Sequence, residues 1–193
     1  MAQYYQIKFL DKSKETLTLK ERADVINQTH ALKHIRGNFL DYIIEIELII
    51  DILTEDFMIH KKSNLRKVFR KNILNNKGVT LRQKTELLSE IIKEKKVLKE
   101  AELKLLNKNL NSLRDDRNRW AHGVIYFKQE KQSNNIKFQS YLNYINSDGN
   151  ENEEILTDPY FDNLTAKFNA TRDLLVRVLV KRGFLSKNYL LKK

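Results

Sequence analysis

A chain of 193 residues, 41% hydrophobic and 32% charged, has the size of one ordinary domain and a composition that is neither disordered nor membrane-embedded. Its 5 Gly and 1 Pro fall far below the roughly 12% of ordinary usage, too few for a sandwich that turns every 8–12 residues or so. The absence of Cys excludes disulfides, thiolate metal sites and cysteine nucleophiles, and a net charge of +11 favours a polyanionic partner.

The opening MAQYYQIKFLDKSKE joins no basic leader to a long apolar run, so no signal peptide is expected. The longest near-apolar stretch, residues 39–53, contains Asp41, Glu45, Glu47 and Asp51, which argues against a membrane span. A cytoplasmic protein follows. The expected fold is all-α: a bundle of about five helices with a small β-hairpin, in a single domain whose core spans about residues 18–182.

Thr18-x-x-Glu21 is a capping-box pattern that opens a helix running to about Glu55, with a bend allowed at Gly37-Asn38. In its second half Ile43, Ile46, Ile49, Ile50 and Leu53 form a broad apolar face. Ile44, Leu48 and Ile52 form a second, narrower stripe. A surface helix needs one apolar stripe, so the second implies packing against another helix of the chain or against a partner subunit.

From Phe57 to Thr85 there is no Asp or Glu, while Lys61, Lys62, Arg66, Lys67, Arg70, Lys71, Lys77, Arg82 and Lys84 are all cationic. The run is either a solvated face or a phosphate-tracking surface. A short basic helix is predicted over residues 64–75, ending at Asn76-Lys77-Gly78. Thr80-x-x-Gln83 is a second capping box, opening a helix through Leu87, Leu88, Ile91 and Ile92. A leucine-patterned segment with Leu103, Leu106, Leu110 and Leu113 continues from Leu98 to about Trp120, with a break near Lys95–Lys96 left open.

After Gly123 the period changes. Residues 124–127 and 136–144 are β-branched and aromatic around a polar run, a hairpin signal covering about residues 124–145. Tyr126, Phe127 and Phe138 are half-buried strand aromatics or, alternatively, base-stacking platforms. Asn146 to Glu154 reads as an acidic loop. Asp158-Pro159 predicts an N-cap with Pro at the first helical position. The last helix then buries Phe161, Leu164, Phe168, Leu174, Leu175, Val178 and Leu179 and stops at Gly183, before a basic tail, residues 183–193.

His30 and His34 stand four apart on a helix, a spacing that can bind a metal, but no third ligand is suggested and two solvated imidazoles are the plainer reading. No metal or cofactor is expected. His122 has a different neighbourhood: Arg114, Asp115, Asp116, Arg117, Asn118 and Arg119 precede it. On a helix Arg114, Asn118 and His122 share a face, while Arg117, five residues from His122, points elsewhere unless the helix ends there, as Gly123 suggests. An imidazole that moves a proton near neutral pH, beside a guanidinium that binds phosphate bidentately, has the parts for phosphodiester chemistry. The alternative is a helix-capping His within a surface ladder of Asp115/Arg119 and Asp116/Arg ion pairs.

Arg117-Asn118-x-x-Ala121-His122 resembles the R-N-x-x-A-H form of the R-x(4–6)-H motif of HEPN domains (higher eukaryotes and prokaryotes nucleotide-binding). Leu81-x-x-Lys84-x-x-Leu87-Leu88-x-x-Ile91-Ile92 resembles the helix that precedes the motif helix there, and the likeness spans about residues 20–128. The resemblance implies a helical domain that dimerises with its two motifs facing each other, and in many members a metal-independent endoribonuclease. Arg117 would hold the scissile phosphate, His122 would serve as general acid or base, and Asn118 would orient either. Attack by the RNA 2′-hydroxyl would leave a 2′,3′-cyclic phosphate and a 5′-hydroxyl. An early-helix carboxylate takes part in some members, with Glu45, Glu47 and Asp51 as candidates here. Arg114, Arg119, Lys61, Lys62, Arg66 and Arg70 would guide RNA. The implied setting is a toxin or phage-defence effector, with a cognate antitoxin as a further partner. The alternative is a non-catalytic RNA-binding or protein-interaction module on the same fold.

Overall fold

In a computed structural model, which describes residues 18–60, 63–76, 78–132, 135–146 and 148–185, the chain forms five α-helices and a small antiparallel sheet. The order is α1 (Leu19–Met58), α2 (Leu65–Phe69), α3 (Leu81–Glu94), α4 (Glu100–His122), β1 (Val124–Gln132), β2 (Asn135–Ile145), β3 (Glu151–Ile155) and α5 (Asp158–Lys181). The all-α class with a hairpin after the motif helix is therefore borne out. Among the described residues, no helix is long and apolar enough to cross a membrane.

Local signals set most helix ends. Thr18 and Glu21 exchange the two bonds of a capping box, Glu21 N to Thr18 Oγ1 at 3.3 Å and Thr18 N to Glu21 Oε2 at 2.7 Å. Thr80 and Gln83 repeat the arrangement at the start of α3. α1 runs as one uninterrupted helix through Gly37-Asn38, where a bend was allowed. A single Gly costs a helix only about 1 kcal/mol. α3 stops at Glu94, and Lys96 turns the chain with φ 48°, which separates α3 from α4. The basic helix expected over residues 64–75 is α2 followed by a π-turn, Arg70–Leu74, closed by Asn75 N–H on Arg70 O. α5 begins at Asp158, so Pro159 lies inside the first turn, where its missing N–H has no partner to lose. Gly183, with φ +76°, ends the tail of α5, and Phe184 N–H reaches back to Leu179 O.

The expected acidic loop contains a third strand. β2 pairs with both β1 and β3, Tyr141 facing Ile155 and Ile145 facing Glu151. Asn146 Oδ1 accepts the N–H groups of Asp148 and Asn150, which tightens the turn before β3. The strand's carboxylates find partners across it: Lys128 Nζ lies 2.6 Å from Glu153, and Arg119 Nη1 lies 2.7 Å from Glu154. Charge pairing thus holds a segment whose composition looks like loop.

Residue contacts divide the chain into two units. The first comprises Met1–Asp41 and Asp116–Leu164. Trp120 is fully buried at its centre, 6.3 Å from the Phe39 ring and 6.1 Å from Phe161, and its Nε1 donates to Tyr160 Oη at 3.0 Å. The Tyr160 hydroxyl is pushed well above its ordinary range by burial, so it remains a neutral hydrogen-bonding partner. Leu142, Phe127 and Leu164 complete this core.

The second unit comprises Tyr42–Asp115 and Thr165–Lys193. Ile46, Ile50, Leu53, Leu88, Ile92, Leu106, Leu113, Leu175 and Val178 are each at most 2% exposed. Ion pairs link its helices. Glu55, 2% exposed, accepts from Arg66 Nε and Arg70 Nε at 2.6 and 2.7 Å, and Asp56 pairs with Arg182 at 2.6 Å. Buried carboxylates require such partners, because desolvating an unpaired charge costs several kcal/mol. The broad face of α1 is buried as expected, whereas Ile44 and Leu48 of the second stripe are 62% and 59% exposed. Ile52, the third residue of that stripe, is half-buried, and Ile44 and Leu48 border an open cleft with Leu74, Val79 and Lys84.

Candidate functional site

Arg117, Asn118 and His122 occupy the last two turns of α4, and all three side chains are exposed. Arg117 Nη1 donates to Asn118 Oδ1 at 3.2 Å. At 3.6 residues per turn Asn118 and His122 lie opposite the buried Trp120, whereas Arg117, five positions before His122 on a helix that runs through it, is turned about 140° from the imidazole. The helix ends at His122, but Gly123 ends it differently from the left-handed cap its position suggested. The left-handed glycines described are Gly149 and Gly183. At Gly123 the need is space: a Cβ there would stand 2.5 Å from Arg119 O, 2.7 Å from Leu142 Cδ1 and 3.0 Å from Asn143 O. The backbone is packed so closely between the Arg119 carbonyl of α4 and β2 that only Gly fits.

The arginines around the motif separate by partner. Arg114 turns to Asn111 and Asp115, at 3.3 Å each. Arg119 pairs with Glu154 at 2.7 Å and Asp116 at 3.6 Å, and its guanidinium lies 4.9 Å from the centre of the Tyr144 ring. The expected Asp115/Arg119 pair is absent, because Glu154 of β3 competes successfully for that guanidinium. Among the described residues Arg117 pairs with no carboxylate. A phosphate oxygen offered at this end of α4 would therefore meet Arg117 with its charge uncommitted.

The other expected cations are largely occupied. Arg66 and Arg70 are held by Glu55, and Lys84 is 5% exposed between Glu47 and Asp51 at 2.8 and 3.0 Å. Lys61, Lys62, Lys77 and the tail from residue 186 lie outside the described residues. Lys67 and Lys71 are exposed. The early-helix carboxylates have structural partners: Glu45 accepts from Arg172 at 2.8 Å, while Glu47 and Asp51 hold Lys84. Burial raises the Asp51 carboxyl above its ordinary value despite the Lys84 bond. Burial opposes the charge on Lys84, yet its bonds to Glu47 and Asp51 raise its ammonium above the usual range. Tyr126 and Phe127 are each 3% exposed, so they are core aromatics rather than base-stacking platforms, while Phe138 is half-buried. His30 and His34 are both exposed.

Two residues that shape the site escaped the sequence reading. Arg36 donates to Ala121 O, and Glu154 anchors Arg119. Arg36 had a legible signal: it falls on the apolar face marked by Leu32, Phe39 and Ile43, where a cation is out of place. Glu154 had none, since its role depends on a strand 35 positions from Arg119.

Comparison with known proteins found no matching family model, curated protein or solved structure.

Proposed function

We propose that this chain is a metal-independent endoribonuclease of the HEPN type that acts as a homodimer, in the setting of a toxin or defence effector. The observation that carries the reading is the sorting of arginines at the end of α4. Arg114 and Arg119 are bonded to carboxylates, and the motif's own arginine, Arg117, is left to solvent with Asn118 and His122. Helix spacing offers Arg117 no carboxylate three or four residues away, where Leu113, Arg114, Trp120 and Ala121 stand, so among the described residues its guanidinium is open to an external anion.

In this reading Arg117 binds the scissile phosphate with its planar fork and stabilises the charge that builds on the phosphoryl oxygens. One His122 takes the proton of the RNA 2′-hydroxyl as its oxygen bonds to phosphorus. The bond from phosphorus to the 5′-oxygen breaks, and the second protomer's His122 protonates that oxygen. The products are a 2′,3′-cyclic phosphate and a 5′-hydroxyl. Asn118, bonded to Arg117, orients the guanidinium. Glu45, Glu47 and Asp51 serve first as helix-to-helix ties.

The test is incubation of the purified chain with total RNA in EDTA. Cleavage is expected, with a loss of about 100-fold or more in His122→Ala and Arg117→Ala, and with circular-dichroism melting unchanged. Undiminished cleavage by His122→Ala contradicts the reading. RNA binding without turnover by the wild-type chain would place it among non-catalytic RNA-binding modules instead.

A further inference from the structure

Arg36 sits on the inward side of α1 with Val25, Leu32 and Phe39, and is itself 8% exposed. A guanidinium so far from water requires acceptors of good geometry. Its Nη2 donates to the carbonyl of Ala121 at 2.7 Å. Ala121 immediately precedes His122 in the last turn of α4, where helix carbonyls have no partner within the helix. A cation at that point also meets the negative end of the helix macrodipole. From the other side, Gly123 presses the backbone against Leu142 and Asn143. The last turn of α4 is therefore held on both flanks of His122, by a buried guanidinium and by a glycine that leaves no slack.

We propose that Arg36 is a positioning residue for His122. By gripping the Ala121 carbonyl it fixes the last turn of α4 and so sets the direction in which the imidazole is presented. The consequence for catalysis rests on the ribonuclease reading; the grip on the helix end does not. Arg36 has no part in binding RNA, because its guanidinium faces the interior. Lysine cannot replace it fully, since a single ammonium on a flexible stem lacks the fixed fork that spans to a carbonyl.

Arg36→Met keeps the apolar stem and removes the donor, and Arg36→Lys keeps a cation and a donor. Two measurements decide. Amide hydrogen exchange by NMR at His122 and Gly123 should accelerate about tenfold or more in Arg36→Met, with amides in the middle of α4 unchanged. Arg36→Lys should fall between Arg36→Met and wild type. On a fluorescent mixed-sequence RNA oligonucleotide in EDTA, Arg36→Met should lower kcat about tenfold and leave KM unchanged. Wild-type exchange at His122 and Gly123 in Arg36→Met overturns the proposal, as does a raised KM with kcat intact. If the wild-type chain does not cleave RNA, the ribonuclease reading fails alone and the exchange rates still decide the role of Arg36. If Arg36→Met does not fold, Arg36→Lys decides: faster exchange confined to the last turn supports the proposal, and wild-type exchange overturns it.

Discussion

Three atoms crowd the point where a side chain at position 123 would begin, and two of them, Arg119 O and Asn143 O, are backbone. Backbone cannot swing aside as a flexible side chain can, so Gly123→Ala must push the last turn of α4 away from β2. A loss of about 1–3 kcal/mol in urea denaturation is expected, and an unchanged midpoint would contradict the crowding. From sequence, Gly123 reads correctly as the end of the motif helix. Its full reason for being Gly does not, because beside the Arg119 carbonyl two of the three obstacles, Leu142 Cδ1 and Asn143 O, come from β2, which pairs Asn143 with Val124. The arginines teach the same thing. Spacing along a helix pairs Asp115 with Arg119, but Glu154 takes that guanidinium from a distant strand, and among the described residues Arg117 pairs with no carboxylate.

At the scale of elements, Lys84 shows what ties α3 to α1. Its ammonium is buried and shared between Glu47 and Asp51, and Asp51 is 16% exposed at its side chain. Lys84→Met would leave a mostly buried carboxylate unpaired, at a cost of about 2–4 kcal/mol at neutral pH. The sign of the pH dependence follows from Asp51. Burial has already raised its carboxyl, so without Lys84 it takes up a proton readily as pH falls, and the unpaired charge disappears. The penalty of Lys84→Met, measured by urea denaturation, should therefore shrink at mildly acid pH, and an equal penalty at both pH values would contradict the account. Helix starts were legible because capping boxes are local: each pairs residues three apart, at Thr18/Glu21 and Thr80/Gln83. β3 was not legible. Its acidic residues are stabilised by Lys128, Arg119 and Asn143, and composition alone cannot reveal partners that arrive only through folding.

For the whole molecule, the count of 36 Lys and Arg overstates the free basic surface, since some of them are tied to carboxylates. Arg66, Arg70 and Lys84, from the stretch free of Asp and Glu, neutralise carboxylates of α1, a use that the stretch concealed, and Arg182 does the same from just past the end of α5. The second apolar stripe of α1 was legible as a face needing a partner, and Ile44 and Leu48 on it remain exposed. On the proposed dimeric reading, that stripe is the candidate for the contact. Replacing both residues, Ile44→Glu with Leu48→Glu, should turn a dimer into a monomer in sedimentation velocity and abolish cleavage, because each site draws its second His122 from the partner. A dimer that survives both substitutions would move the contact elsewhere.

The central claim is that the end of α4 directs the RNA 2′-hydroxyl onto its own phosphate. The most direct measurement compares an RNA oligonucleotide with the same strand carrying a 2′-deoxy sugar at the mapped cleavage position, in EDTA, with end-group analysis of the fragments. The account predicts 2′,3′-cyclic phosphate and 5′-hydroxyl ends from the RNA and no cut at the deoxy position. Cleavage at the deoxy position, or 5′-phosphate ends, would contradict it.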